Sequence, residues 1–123
     1  MKKKIIIAVC IIAFVVIAFI SMIISVNVTG VFNPISAVYN MSKIMFDEDE
    51  LYVVAQNRPW KIMFSKPSAD GKSAQDILDE YMKKEGYEMS DRMGSVITYK
   101  NENGNEKRIH FSVNQYYSLW EWI

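Results

Sequence analysis

The strongest constraint on this chain is an apolar run near its N-terminus. Ile5 to Ile20 contains no charged or strongly polar residue, and apolar residues continue to Val28 with only three polar interruptions. About 20 apolar residues span the hydrocarbon core of a bilayer as a helix. Lipid enforces the helix because it offers the backbone no hydrogen-bond partner. The sequence therefore predicts a transmembrane anchor over residues 5–28.

A cleaved signal peptide is the competing interpretation of this run. Such a peptide has a shorter apolar core, about 7–15 residues, and a small-residue cleavage site. The run here is longer and no convincing small-x-small site follows it, which favours a retained anchor. Cys10, the only cysteine, lies inside the run and is interpreted as a small apolar filler.

The charges that flank the run predict its orientation. Lys2, Lys3 and Lys4 precede it, whereas the next basic residue is Lys43, followed by the acidic run 47–50. The positive-inside rule then places residues 1–4 in the cytoplasm as a stub and the C-terminal part outside the cell membrane.

The chain beyond the anchor is mildly acidic. It holds 11 of the 14 basic residues and all 14 acidic residues. Nucleic-acid binding demands a positive surface, so no nucleic-acid partner is expected. The acidic run 47–50 lacks the spacing and the glycine of a calcium loop, and no cysteine lies outside the anchor. No metal or cofactor is therefore predicted.

Residues 29–50 are predicted to form a juxtamembrane helix and an acidic linker. Asn33 is a good N-cap and Pro34 suits the first helical position, which predicts a helix over 34–46. Lys43 is its only basic residue, so packing on a core is favoured over lying on the lipid surface.

Residues 51–123 are predicted to form an extracytoplasmic α+β domain. Ser73 and Asp76 resemble a capping box, and the apolar stripe that follows predicts a main helix over about 73–85. Alternating segments on either side predict a mostly antiparallel sheet of about four to six strands, packed on that helix.

The hairpin around Asn103-Gly104 admits two registers. A shift of one residue turns a whole set of side chains to the other face. A loop one residue longer than the two-residue turn places Ile97 and Tyr99 beside Phe111 and Ile109. This register gives a consistent apolar face and is preferred.

The last hairpin is predicted to turn at Asn114-Gln115. That turn pairs Ile109 with Trp120 and Arg108 with Glu121, and opposite charges across two strands are mildly stabilising. Trp120 is therefore expected on the face that the 73–85 helix covers.

Aromatic residues crowd the predicted last strand, 116–122. Alternation places Tyr116, Trp120 and Trp122 on one face and Tyr117 and Leu119 on the other. One face must serve the core. The other is either covered by a second layer, such as the 34–46 helix, or binds a partner through aromatic anchors. The candidate partner-binding residues are Tyr117, Leu119, His110 and Arg108.

No catalytic pattern is found. His110 is the only histidine, and a histidine and a serine on one strand do not supply a base, an activated nucleophile and an orienting group. The chain is therefore predicted not to be an enzyme. The alternative is an envelope enzyme with a site around His110, Arg108 and Tyr99, which would require a concave pocket there.

A sequence resemblance covers about residues 73–123. Ile77 to Met82, Gly86-Tyr87, the segment 91–94 and the strand from Tyr116 to Trp120 resemble small, uncharacterised, membrane-anchored extracytoplasmic proteins of Gram-positive bacteria. The resemblance implies an anchor and a location and implies no activity.

The expected function is that of a membrane-tethered extracytoplasmic binding or accessory domain of the cell envelope. Its partners would be membrane lipid, through the anchor, and a protein or peptide. An immunity-type protein and a regulatory subunit both agree with this expectation. A structural module that oligomerises through its anchor is the third class, and the anchor lacks the glycine pairs typical of it.

Overall fold

The computed structural model describes all 123 residues. It has two N-terminal helices, α1 (Lys2–Thr29) and α2 (Pro34–Phe46), and a third helix, α3 (Ala74–Lys84). The strands are β1 (Tyr52–Gln56), β2 (Ile62–Ser65), β3 (Ser68–Ala69), β4 (Lys72–Ser73), β5 (Glu88–Met93), β6 (Val96–Lys100), β7 (Glu106–Val113) and β8 (Ser118–Trp122).

Six of these strands form one antiparallel sheet, and β3 and β4 form a separate short ribbon. The strand order is β1-β2-β8-β7-β6-β5, so β8 lies inside the sheet and pairs with β2 and β7. The predicted α+β class and the mostly antiparallel sheet are confirmed.

The long N-terminal helix agrees with the predicted apolar segment. α1 is long and apolar enough to cross a membrane, and its most apolar stretch is not buried by the rest of the protein. It ends at Gly30, whose φ of +80° is a left-handed conformation that glycine adopts without a steric penalty.

The capping box predicted for the main helix is present. The Ser73 hydroxyl accepts from the Asp76 N–H, and the Asp76 carboxylate accepts from the Ser73 N–H at 3.0 Å. The hydrogen bond from the Ser73 backbone is the main reason why the pKa of Asp76 is lowered. α3 therefore starts one residue after the predicted boundary, with Ser73 as its cap.

α3 covers the first face of the sheet. Trp120 is fully buried there, and the rings of Tyr52 and Tyr81 lie 5.9 and 5.7 Å from it. The predicted meeting of the α3 stripe with the Trp120 face is confirmed. The buried members of this core are Met63, Ala74, Ile77, Leu78, Met82, Ile97, Tyr99, Ile109, Phe111 and Trp120.

α2 covers part of the second face, which the sequence left open. Its contacts lie mainly on β1 and β2. The second core consists of Val31, Ala37, Ile44, Ala55, Ile62, Phe64 and Leu119. The sheet is therefore sandwiched between α3 and α2, and both of its faces carry buried residues.

The preferred register of the β6–β7 hairpin has the correct face and the wrong pairing. Ile97 pairs with Ile109 and Tyr99 with Lys107, a shift of two residues from the prediction. The connection is longer, Asn101–Asn105, because the Asn101 side chain accepts from the Asn105 N–H and closes a wider turn.

The last hairpin is shifted in the same way. Phe111 pairs with Trp120, and Glu121 pairs with His110 and not with Arg108. The Asn114 side chain accepts from the backbone N–H groups of the two tyrosines that follow Gln115, at 2.8 and 3.0 Å. This side-chain turn occupies 114–117, so the strand begins at Ser118 and Tyr116 lies outside it.

Candidate functional site

The junction between α1 and the domain is a rigid elbow, residues 30–33. The Ser25 hydroxyl donates to the Val31 carbonyl at 2.6 Å, and the Thr29 hydroxyl donates to the Ser25 carbonyl at 2.9 Å. Val31 is buried in the second core. Val31 follows directly after the turn at Gly30 and is already packed in the core. The domain is therefore held against the end of α1 without a flexible linker.

The elbow also docks onto the β1–β2 end of the sheet. The Phe32 N–H donates to the Gln56 side chain at 2.8 Å, and the Phe32 and Trp60 rings are 5.1 Å apart. A Cβ added to Gly30 would lie 3.0 Å from Ile62 Cδ1. These contacts fix the direction in which α1 leaves the sheet.

Small polar residues of α1 face α2. Ser21, Ser25 and Thr29 recur every four residues and therefore lie on one side of the helix. Together with α2 they line an apolar groove of about 320 Å³. Small side chains allow two helices to approach closely. In the sequence, Ser21 and Ser25 stand out only as polar interruptions of an apolar run, although the four-residue spacing that they share with Thr29 is typical of a packed helix face.

The structure separates the four predicted partner-binding residues. Leu119 is 7% exposed within the second core, and Tyr117 packs its ring on Phe64 at 5.7 Å. Arg108 is exposed and His110 is half-buried. The four side chains share one sheet face but do not form one exposed patch, because the second core takes Leu119 and part of Tyr117.

The residues of the alternative enzyme site are also separated. Tyr99 lies on the first face, where its hydroxyl donates to Asp79 at 2.6 Å. Burial, followed by this hydrogen bond, raises the pKa of Tyr99. His110 and Arg108 lie on the opposite face, so the sheet itself stands between them and Tyr99. None of the five principal pockets is lined by these three residues.

His110 has an incomplete hydrogen-bond set. Its Nδ1 is buried and has no partner within the protein. Its cross-strand neighbours are Val96 on β6 and Glu121 on β8. No group of three or more histidine, cysteine, aspartate and glutamate side chains is placed to hold a metal ion.

The β5 strand is a free edge of the sheet. Its six residues are all exposed, and only β6 pairs with it. Met93 is 76% exposed. Ser90 is the additional residue of a β-bulge, and its hydroxyl donates to the Thr98 carbonyl at 3.2 Å. An unpaired strand edge presents backbone N–H and C=O groups to which another strand can pair.

The β1 strand, at the opposite edge, is covered. α2 packs along it, and the Ser36 hydroxyl donates to the Ala55 carbonyl at 2.7 Å. The Gln56 side chain is also occupied, by the Phe32 N–H and the Trp60 carbonyl. The two edges therefore differ: the elbow and α2 protect β1, and no helix or strand lies along the outer side of β5.

The β5 edge is positioned by α3 and bordered by a polar pocket. Arg92 contacts Gln75 of α3 and lies 5.9 Å above the Phe111 ring. A pocket of about 550 Å³ opens where α3 runs into β5. Its lining carries both charge signs: Lys83, Glu88, Lys100 and Glu102.

The candidate site is thus a pre-formed strand edge with a polar pocket at one end. The sequence does not reveal this edge, because strand order decides which strands lie at the edges. Comparisons of the chain with protein-family models, with curated proteins and with solved structures find no match.

Proposed function

We propose that this chain is a membrane-tethered accessory domain of the cell envelope that binds an extended segment of a protein or peptide partner. α1 is the anchor, the N-terminus is cytoplasmic and the domain lies outside. The observation that carries the proposal is the free edge of β5 in a sheet whose other edge is covered.

Binding would proceed by strand addition. A partner segment that pairs with β5 obtains affinity from main-chain hydrogen bonds and specificity from alternate side chains. Met89 and Arg92 would face it on the α3 side, and Asp91 and Met93 on the other side. This arrangement uses groups that are already held in a strand by pairing with β6, with one bulge at Ser90, so little ordering of the domain is required.

The anchor geometry supports the same use of β5. The elbow docks at β1 and β2, and β5 is the most distant strand in the sheet order. Five strand spacings separate the two edges, about 24 Å. The rigid elbow therefore presents the free edge away from the point where the chain leaves the membrane.

The variant Ser90→Pro is expected to abolish capture of the partner. Proline removes a backbone donor and blocks strand addition, yet the fold tolerates it best at edges and bulges. A photo-crosslinking residue at Met93 in the full-length chain, activated in intact cells, should yield a specific adduct that Ser90→Pro loses and Ser90→Ala keeps. The same residue placed at Val113, another exposed strand position, should give no such adduct.

An adduct that survives Ser90→Pro, or that forms equally from Val113, would contradict binding at β5. Thermal melts of both Ser90 variants serve as the folding control. A melting temperature that falls only for the proline variant would assign the loss to unfolding, and a proline at the neighbouring exposed position Asp91 would then replace it.

The proposed topology predicts digestion of the domain from outside. Trypsin added to intact spheroplasts should cut after exposed basic residues at the ends of short elements, such as Lys72 and Lys84, leaving α1 in the membrane. The fragments are followed by mass spectrometry, and a cytoplasmic protein serves as the control for intact cells. Protection of the domain until the membrane is opened would show that the orientation is reversed.

A further inference from the structure

α2 is apolar on both of its sides. Its inner side, with Ala37 and Ile44, is buried on the sheet, and Lys43 is its only charged residue. The helix also carries Ser36, Asn40 and Ser42, but each of its two apolar sides requires cover. The large apolar residues that the structure leaves exposed on it are Ile35, Val38, Tyr39, Met45 and Phe46.

The exposure of this outer side matches that of a lipid-facing helix. Ile35 and Phe46 are each 79% exposed, whereas Phe14, the most exposed large apolar residue of α1, is 74% exposed. A contiguous apolar surface of this kind is uncommon on water-exposed domains and marks a protein or membrane contact.

The outer side of α2 is continuous with α1. Ser21 of α1 borders one hollow together with Ile35, Val38 and Tyr39 of α2. The neighbouring groove is lined by Ile24 and Val28 of α1. The Ser25 and Thr29 hydroxyls in this groove donate to backbone carbonyls, so a lipid chain that covers α1 at this level meets mainly apolar surface on α2.

The length of α1 fixes the depth of α2. At ~1.5 Å per residue, the helix rises ~26 Å from Lys4 to Ser21 and ~37 Å from Lys4 to Thr29. The hydrocarbon core is ~30 Å thick. With Lys4 at the cytoplasmic boundary, the outer boundary falls between Ser21 and Thr29, which is the segment that α2 packs against.

From these observations we infer that α2 is an in-plane membrane helix whose outer side lies among the acyl chains of the outer leaflet. The inference rests on the proposed anchor and deepens it, since the bilayer then holds the domain at two helices. Lys43 lies 5.2 Å from the Tyr39 ring, a pair suited to the headgroup level. Asp47 and the acidic residues after it remain in water.

Continuity with α1 identifies lipid as the occupant. A second copy that covered Val38 and Phe46 would itself have to enter the leaflet beside α1, displacing lipid from both helices. Lipid covers the same surface without any complementary shape, and its acyl chains fill the groove between α1 and α2.

The test is spin-label accessibility in the full-length chain. Single cysteines replace Val38, Phe46, Val15, Glu48 or Lys107 in a Cys10→Ser background, and each carries a nitroxide. The chain is placed in phosphatidylcholine–phosphatidylglycerol vesicles at no more than one chain per vesicle. Collision rates are measured with oxygen, which partitions into lipid, and with a nickel chelate, which stays in water.

We expect the oxygen-to-chelate ratio at Val38 and Phe46 to be several-fold higher than at Glu48 and Lys107, and to approach that at Val15. A water-like ratio at Val15 would overturn the anchor itself. A lipid-like ratio at Val15 with water-like ratios at Val38 and Phe46 would overturn the placement of α2 and leave the anchor intact. Protection at Val38 that appears only when several chains share a vesicle would identify a second copy as the occupant and would also overturn the inference.

Discussion

Replacing Trp120 with alanine is expected to lower the free energy of unfolding by about 3–5 kcal/mol. Trp120 is fully buried between α3 and the sheet, and the rings of Tyr52 and Tyr81 pack on it. Its indole N–H also donates to the Ser118 hydroxyl at 3.1 Å. Truncation leaves a cavity in the first core and removes that donor.

This loss should be a large part of the free energy of unfolding, which is only about 5–15 kcal/mol for a domain. Denaturation of the full-length chain in detergent micelles, followed by near-ultraviolet circular dichroism, measures it. His110→Ala is the control and should leave stability nearly unchanged. His110 is half-buried and its Nδ1 has no partner, so its removal breaks no hydrogen bond at that atom.

A Trp120→Ala variant that unfolds at the same denaturant concentration as the parent would contradict the assignment of the first core. An equally large loss in His110→Ala would show instead that the second face carries stabilising contacts around β7.

Replacing Ile44 with alanine should cost about 2–5 kcal/mol. Ile44 is 1% exposed, on the side of α2 that packs on the sheet. The neighbouring residue Met45 lies outside the buried core and is 41% exposed, at the border of a surface hollow. Met45→Ala is therefore a matched control in the same helical turn, and its effect in micelles should be below about 1 kcal/mol.

The pair of variants is compared by the same denaturation measurement. Equal losses would mean that α2 does not distinguish a sheet side from an outer side, which would contradict both the second core and the in-plane placement of the helix. A larger loss of stability in Met45→Ala than in Ile44→Ala would show that Met45, and not Ile44, lies on the sheet side of α2.

Local signals in the sequence determined the elements of this protein. The uninterrupted apolar run Ile5–Ile20 predicted a long helix, and α1 extends over all of it. The capping box at Ser73 and Asp76 fixed the start of α3, because it satisfies N–H groups that are otherwise unpaired. Alternation correctly placed Ile97, Tyr99 and Trp120 on one face of the sheet.

Pairing within the hairpins depended on the tertiary structure. Side chains alternate between the two faces of a strand with a period of two. A register shift of two residues therefore leaves each side chain on the same face, and the alternation of apolar and polar residues in the sequence cannot distinguish the two registers. The side chains of Asn101 and Asn114 widened their turns by local hydrogen bonds, and Trp120 therefore lies opposite Phe111 and not Ile109.

The choice of surfaces also depended on the tertiary structure. Strand order left β5 at a free edge and placed β8 inside the sheet, and the packing of α2 buried Leu119. The sequence shows which residues of α2 are apolar, but only the packing on the sheet decides which side of the helix is buried. The physical reason is that local patterns specify which side chains must leave water, while the assembled chain specifies what covers them.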